Sequence, residues 1–335
     1  MATTVISAFN EFLRDIVNLD PDETKTAKNS RNWLIEQQIH KFPEKDDLFP
    51  NLYKEKDFYF GSFARRTKIR KLDDIDIMIA LSAEGGHYNE SQHHVEITVA
   101  NDADKLKKLC FENSNILNSR KVINKFLSLL KDVPQYEKAE MKRNQEAATL
   151  KLSSHGWNFD LVPCFFTKED SFGRTYYLIP DGQGNWKKTD PRIDRDRVSS
   201  INQNNDGNVL NVIRIFKYWN KRASMPTIPS YLLENIILNY YAKNTHSKAS
   251  EFVDMEIPKI LNDIHSSIHS TVMDPSGIQD DINTLSYDTR SKISERSLND
   301  YYVAEEARKC ENERNYKDSI SKWRDIFGSE FPEYT

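Results

Sequence analysis

The sequence predicts an α+β fold in which a mixed sheet is followed by a helical lobe. Six short segments are rich in aromatic and β-branched residues and bounded by turn formers, which is typical of strands. They are FYFGSF, IDIMIAL, VEITVA, AATLKLSS, NFDLVPCFF and TYYLIP, all between residues 58 and 180. From Val209 onward, apolar residues recur at helical intervals in VLNVIRIFKYWNKR, SYLLENIILNYYAK and EFVDMEIPKILNDIHSSI. We therefore expect a sheet-bearing core over residues 1–206 and a helical lobe over residues 207–335.

Helices are also predicted before the first strand. ISAFNEFLRDIV has helical spacing, and a second helix is expected from about Thr24 to Phe42, where Pro43 would end it. The glycines of DGQGN, residues 181–185, indicate a tight hairpin rather than a phosphate-binding loop, because no helical pattern follows directly. The polar segment 192–208 is expected to be the loop that joins the two domains.

Composition excludes several classes of protein. The 335 residues are 38% hydrophobic and carry a net charge of -4, so nothing in the overall charge attracts nucleic acid, and the basic clusters contain interspersed acids. No run approaches the roughly 18 apolar residues of a membrane span, and the N-terminus lacks a signal-peptide pattern, which predicts a cytoplasmic protein. The widely spaced Cys110, Cys164 and Cys310 are expected to be free thiols. His93 and His94 are adjacent, without helical ligand spacing, and are expected in a solvated turn.

The segment LDDIDIMIAL raises the question of why acids directly precede a buried strand. Alternate side chains of a strand share a face, so Asp74 and Asp76 project together while Ile75 and Ile77 face the other way. Two carboxylates about 7 Å apart at their stems would repel each other unless a cation lay between them. Hard oxygen ligands suit Mg²⁺ or Mn²⁺, and Mg²⁺ commonly pairs one or two carboxylates with substrate phosphates.

A Gly-Ser turn lies a dozen residues before these acids. Gly61 lets the backbone approach a ligand closely, Ser62 offers a hydroxyl, and the following FARRTKIR can open a helix whose N-terminal amides attract phosphate. The alternative is an ordinary turn before a solvated basic helix, with the acidic strand end paired to Arg65 or Arg70. Taken alone, the turn and the acidic strand each leave both interpretations open, whereas together, at this spacing, they favour a metal and phosphate site.

A third acid completes the set that two metal ions would need. Asp160 in NFDLVPCFF stands among apolar residues, where an unpaired carboxylate is costly. Its alternative role is that of an acid at a strand edge bonded to a helix cap.

The order GSFARRT, LDDIDIMIAL and FDLVPCF resembles the nucleotidyltransferase superfamily, whose polymerase β-like fold carries Gly-Ser, an Asp-x-Asp strand and a lone Asp on a neighbouring strand. More narrowly, GSFARRTKIRKLDDIDI, LIPDGQGNWKKTDP and VIRIFKYWNK followed by PSYLLENIIL resemble the bacterial CD-NTases, the cyclic-oligonucleotide synthases of CBASS anti-phage systems. This likeness covers roughly residues 58–240.

The resemblance implies a bilobal protein with a central active-site cleft and a role for eight residues. Asp74, Asp76 and Asp160 would be catalytic and would bind two Mg²⁺ or Mn²⁺ ions, and Gly61 and Ser62 would hold the triphosphate. The remaining three would also contact the nucleotide: Lys217 on its phosphates, Ser230 on a phosphate or sugar, and Tyr231 as an aromatic platform for the base. The alternatives from the residues alone are a surface lysine at Lys217 and a core aromatic at Tyr231.

Three functions follow as hypotheses. The first is an enzyme that joins ribonucleoside triphosphates into a cyclic oligonucleotide, above all a cyclic dinucleotide, with release of pyrophosphate and with a separate effector protein reading the product. The second is a template-independent transferase that extends or labels an RNA or protein end. The third is a nucleotide-binding module with a dead site, against which the presence of all three acids argues.

Overall fold

The computed structural model describes residues 2–91, 94–152, 154–222 and 226–335. The fold is α+β, with one mixed sheet and a set of helices. The chain divides into two compact units. The helical unit comprises Met1–Asp20, Arg65–Arg70 and Ile193–Thr335, and the sheet unit comprises Pro21–Ala64 and Lys71–Arg192. This division differs from the predicted domains 1–206 and 207–335, because the N-terminal helix and residues 65–70 pack with the helical unit.

Within the described ranges the sheet unit has nine strands in a single sheet. They are β1 Phe58–Phe60, β2 Asp74–Leu81, β3 His87–Glu90, β4 Val95–Thr98, β5 Glu140–Asn144, β6 Ala147–Lys151, β7 Asn158–Phe166, β8 Tyr177–Pro180 and β9 Trp186–Thr189. The order is β1-β2-β7-β8-β9-β4-β3, and β6 pairs with both β5 and the first half of β7. Each of the six predicted segments contains a strand, although FYFGSF is strand only over Phe58–Phe60 and continues into helix α4. The polar β3 and β5 and the short β9 were not predicted.

The central pair β2 and β7 is parallel, and its two faces differ in character. One face carries Ile75, Ile77 and Ile79, all essentially inaccessible to solvent. The other face begins with Asp74 and Asp76, which are half-buried, and becomes apolar at Met78. The predicted alternation is therefore confirmed, and the acids occupy the open end of a face that is otherwise part of the core.

The helices of the sheet unit surround this sheet. They are α2 Pro21–Trp33, α3 Phe42–Lys45, α4 Gly61–Ala64, α5 Asp104–Lys107 and α6 Ser119–Lys131. Helix α6 packs its apolar face, with Val122, Ile123 and Phe126 buried, near β5 to β8. Pro43 does not end a long helix as expected. Helix α2 passes through a π turn and a 3₁₀ turn, and Pro43 lies in the first turn of α3, where its missing N–H costs nothing.

The helical unit is formed by seven helices in the described part of the chain. They are α1 Val5–Phe12, α7 Pro191–Asn204, α8 Val209–Asn220, α9 Ser230–Lys243, α10 Val253–Ser267, α11 Tyr287–Asn312 and α12 Tyr316–Phe327. Their core includes an aromatic cluster in which Phe12 contacts Tyr218, Phe327 and Phe331 at ring-centroid distances of 4.9 to 5.4 Å. The N-terminal helix is therefore an integral part of a unit built mainly from the second half of the chain.

Most of the segment 192–208 is helix α7 rather than the expected loop, although the boundary between the two units does fall at its start, between Arg192 and Ile193. This helix has few apolar residues, of which Val198 is buried in the core and Ile201 packs against it, and polar contacts also hold it. Arg197 donates to Asn235 at 2.6 Å and to Asn239 at 2.7 Å, both on α9. Sequence polarity was therefore mistaken for exposure.

The residues DGQGN connect β8 to β9 as a hairpin, and the three cysteines are free thiols. His93 lies outside the described residues. Across the described ranges, no helix combines the length and apolar character that a membrane crossing needs.

Candidate active site

The three predicted metal ligands lie on neighbouring strands of the sheet unit. Asp76 on β2 is the register partner of Asp160 on β7, and Asp74 is the partner of Asn158. Register partners in adjacent parallel strands are about 4.8 Å apart and point to the same side. The pairing therefore places Asp74, Asp76 and Asp160 on one face, and all three are half-buried.

Gly61 lies against the second of these acids. Its φ is +72°, and a Cβ added there would lie 1.8 Å from Oδ2 of Asp76. Glycine is therefore required both for the backbone conformation and for the approach of the turn to the carboxylate. Ser62 follows in the same turn and is half-buried.

The helix expected after this turn is much shorter than FARRTKIR. Helix α4 ends at Ala64, and Arg66 has a φ of +63°, which a continuing right-handed helix does not allow. A single helical turn has little macrodipole. Any anion binding here would therefore depend on the close backbone approach and on the hydroxyl of Ser62.

Asp160 is oriented by a neighbour that sequence reasoning missed. The hydroxyl of Thr149 on β6 donates to Oδ1 of Asp160 at 2.6 Å. Within the described ranges, no three His, Cys, Asp or Glu side chains are arranged as a ready metal site. What fits a divalent metal is the donor chemistry, namely three carboxylates on one face of two adjacent strands.

Lys217 is buried rather than on the surface, with 6% of the residue exposed. Its Nζ contacts Oε1 of Glu234 and lies 3.3 Å from Oγ1 of Thr67. Thr67 donates to the same Oε1 at 2.9 Å, and Arg65 donates to Oε2 at 3.1 Å. We call Arg65, Thr67, Lys217 and Glu234 the Glu234 cluster, and all four belong to the helical unit.

Arg65 and Arg70 were the alternative ion-pair partners expected for the acidic end of β2, and both have other contacts. Arg65 binds Glu234, and the Arg70 guanidinium donates to the backbone carbonyls of Asn18 and Arg14.

Ser230 and Tyr231 begin helix α9. Ser230 is exposed, whereas Tyr231 is half-buried and its hydroxyl lies 2.7 Å from Oδ1 of Asp194 and 3.0 Å from Oδ1 of Asp274. Burial raises the pKa of Asp194, although the Tyr231 hydrogen bond opposes this. Asp274 has a lowered pKa, because bonds from Ser276 and from backbone N–H groups outweigh its burial.

Comparison with known proteins gives two kinds of likeness. Among solved structures, the CdnC protein of E. coli MS115-1, in a structure with ATP, matches with a TM-score of 0.69 over 97% of this chain and 98% of that one, at 14% identity. Vibrio cholerae DncV, a cyclic AMP-GMP synthase, matches with a TM-score of 0.58 over 83% of this chain and 70% of that one, at 13% identity. A probable cyclic nucleotide synthase of Bacillus cereus (strain VD146) is 44% identical over 335 residues, covering this whole chain and 99% of the relative. The chain belongs to the CD-NTase family. No family model matches it.

In this CD-NTase, the predicted residues fall into two sets. Gly61, Ser62 and the three acids lie in the sheet unit, whereas Lys217, Ser230 and Tyr231 lie in the helical unit.

Sequence reasoning missed Thr149 and Glu234. Glu234 could have been found, because a carboxylate in the apolar run of LLENII is as unusual as Asp160 in NFDLVPCFF. Thr149 gave no signal, since threonine is common in strands.

Proposed function

We propose that this CD-NTase joins ribonucleoside triphosphates into a cyclic oligonucleotide, in the first place a cyclic dinucleotide, and releases pyrophosphate. The observation that carries the proposal is the register of β2 and β7, which sets Asp160 beside Asp76 on the face that also bears Asp74. The full-length likeness to a probable cyclic nucleotide synthase supports the nature of the product.

The chemistry would be an in-line attack of a ribose hydroxyl on the α-phosphate of a bound triphosphate. Asp74, Asp76 and Asp160 would hold two Mg²⁺ or Mn²⁺ ions. Such ions, when bound, favour the deprotonated attacking hydroxyl and neutralise charge on the leaving pyrophosphate. The Thr149 hydroxyl would keep Asp160 turned towards this face.

The other residues would bind and orient the nucleotide. The Gly61 backbone and the Ser62 hydroxyl would hold the triphosphate, with the ammonium of Lys217 as a further phosphate ligand. Ser230, exposed at the start of α9, would contact a phosphate or the sugar, and the ring of Tyr231 would stack on a base. Stacking contributes about 1–3 kcal/mol per base and tolerates all four bases.

The biological setting is proposed from the family. The nucleotides that the enzyme would use are made in the cytoplasm, which is where we place its activity. A separate effector protein would read the product as a signal in anti-phage defence. CdnC of E. coli MS115-1 has been solved in complex with a HORMA protein, and the TM-score of that structure to this chain is 0.66 over 97% of this chain and 98% of that one, at 14% identity.

The decisive experiment supplies all four ribonucleoside triphosphates with Mg²⁺ or Mn²⁺ and identifies phosphatase-resistant products by mass spectrometry. A cyclic oligonucleotide supports the proposal. Products extended onto an added RNA or protein would favour the transferase alternative, and nucleotide binding without any product would favour a dead site.

The matched variants are Asp76→Asn and Asp102→Asn. The first keeps the shape of a ligand but removes its charge, so product formation should fall by about 100-fold or more. The second changes an exposed acid of the same unit and should leave the rate unchanged. Retained activity in Asp76→Asn would refute the assignment.

A further inference from the structure

The Glu234 cluster contains one carboxylate and two cations in a buried site. Glu234 is 2% exposed and Lys217 is 6% exposed, and the side chain of Arg65 is 12% exposed. A buried charge is costly unless it is paired. Glu234 pairs with both cations at once, so the cluster keeps one positive charge in excess, and a nucleotide triphosphate could neutralise it.

The charged state of Lys217 depends on Glu234. Burial lowers the pKa of Lys217 most strongly, the negative charge of Glu234 raises it, and the positive charges of Arg65 and Lys68 lower it again. Among these four influences, only Glu234 favours the ammonium form. Without it, a buried lysine beside two cations would tend to lose its proton, and a neutral amine attracts phosphate weakly.

The remaining members of the cluster fix the carboxylate in place. The Arg65 guanidinium donates from Nε to Oε2 at 3.1 Å and from Nη2 to Oε1 at 3.3 Å, a two-point contact that sets the carboxylate plane. The Thr67 hydroxyl adds a third bond, to Oε1 at 2.9 Å. Since Lys217 contacts that same oxygen, its ammonium has a defined position before any nucleotide arrives.

We propose that Glu234 is a positioning residue that keeps Lys217 protonated and in place to bind the triphosphate of an incoming nucleotide. The inference rests on the proposed function, since it takes Lys217 as a phosphate ligand. Glu234 itself makes no contact with substrate in this scheme. It acts through the lysine, while Arg65 and Thr67 hold its carboxylate.

The test is the pH dependence of nucleotide affinity in Glu234→Gln, a variant that keeps the side-chain shape but removes the charge. The Kd for ATP is measured by calorimetry, in the same divalent metal, for the variant and the unchanged protein. At pH 8 the variant should bind about tenfold more weakly, and the difference should be smaller at pH 6, because a lower pH favours the ammonium form of Lys217. A loss of affinity that is equal at both pH values, or no loss, would overturn the inference.

A double variant gives the matched control. In Glu234→Gln with Lys217→Arg, the guanidinium cannot lose its proton, so the difference in affinity from the unchanged protein should no longer vary with pH, whatever its size. The titration of ATP itself is common to both proteins and cancels in this comparison. If the difference still varies with pH, it comes from another group and the proposal is wrong. If Glu234→Gln does not fold, Glu234→Asp serves instead. Its shorter side chain withdraws the charge from Lys217, so a smaller weakening confined to higher pH is expected, and a uniform weakening counts against the proposal.

Failure of this inference can be told apart from failure of the proposed function. Calorimetry reports binding whether or not a cyclic product forms, so a protein that binds ATP with the expected pH pattern but makes no product would retain the inference and lose the function. A protein that makes the product but whose ATP affinity is unchanged in Lys217→Ala would retain the function and lose the inference.

Discussion

At the scale of single residues, the hydroxyl of Tyr231 makes hydrogen bonds that do not depend on any stacking of its ring. If the ring only stacked on a base, Tyr231→Phe would be nearly silent. In the structure, the hydroxyl stands between the carboxylates of Asp194 and Asp274. One hydroxyl proton cannot satisfy two ionised carboxylates, which agrees with the raised pKa of Asp194 and the lowered pKa of Asp274.

We therefore expect Tyr231→Phe to lower the free energy of unfolding by about 1–3 kcal/mol near neutral pH, because Asp194 would lose its hydrogen bond and would face Asp274 with no donor between them. A carboxyl group with a raised pKa in the folded state contributes stability at low pH that is lost as the pH rises through that pKa. The variant raises the pKa of Asp194 further. Its deficit should accordingly grow as the pH rises from about pH 4 towards neutral in urea unfolding. A deficit that shrinks over this interval would contradict the assignment.

Thr149 provides a second test at this scale. Thr149→Val keeps the shape of the side chain but removes the donor to Asp160, so that carboxylate would be less well oriented. We expect the metal concentration for half-maximal activity to rise and the rate at low metal to fall by about tenfold. Titration of activity with Mn²⁺ measures both. Thr149→Ser keeps the hydroxyl and should behave like the unchanged protein, and an unaltered metal dependence in the valine variant would remove Thr149 from the site.

At the scale of elements, the chain passes directly from β1 into α4 at Gly61, and this position is fixed by its contact with Asp76 on β2. Gly61→Ala would combine an unfavourable positive φ with a Cβ 1.8 Å from Oδ2 of Asp76. The carboxylate would have to move, so activity should fall by orders of magnitude. The backbone strain itself should cost only about 1–2 kcal/mol of stability.

Gly173→Ala separates these two effects. Gly173 has nearly the same φ, +73°, but apart from its chain neighbours no atom of the described residues lies within 4 Å of the added Cβ. Gly173→Ala should therefore lose stability through backbone strain but keep its activity. If both variants lose activity equally, the contact between Gly61 and Asp76 has no functional importance.

At the scale of the whole molecule, the two units are assembled from segments distant in the chain. Phe12 lies in the N-terminal helix, is fully buried and packs on rings from α8, α12 and the C-terminal segment. Phe12→Ala should therefore lower the stability of the helical unit by about 3–5 kcal/mol. Urea unfolding followed by tryptophan fluorescence measures this change. Ile6→Ala, on the same helix but 42% exposed, should cost within about 0.5 kcal/mol. Equal effects would mean that α1 is not part of the core.

Much of the fold was predictable because local patterns reflect local constraints. Alternation in IDIMIAL gave the strand and the shared face of Asp74 and Asp76, and the glycines of DGQGN gave the hairpin. Prediction failed in α7, which was expected to be a loop, because its few apolar residues, such as the buried Val198, stand among many charged and polar ones. It also failed where segments were too short or too polar to show a period, as in β3 and β5.

The sequence by itself determined which residues alternate, where the chain must turn, and, through the order of its motifs, the family. Only the tertiary structure decided which side chains meet. The parallel register of β2 and β7 brings Asp160 beside Asp76, and the fold of the helical unit joins Arg65 to Glu234 across 169 positions. The physical reason is that alternation and turn conformation depend on neighbouring residues. Such distant pairings instead depend on how whole elements pack, and no local pattern records that packing.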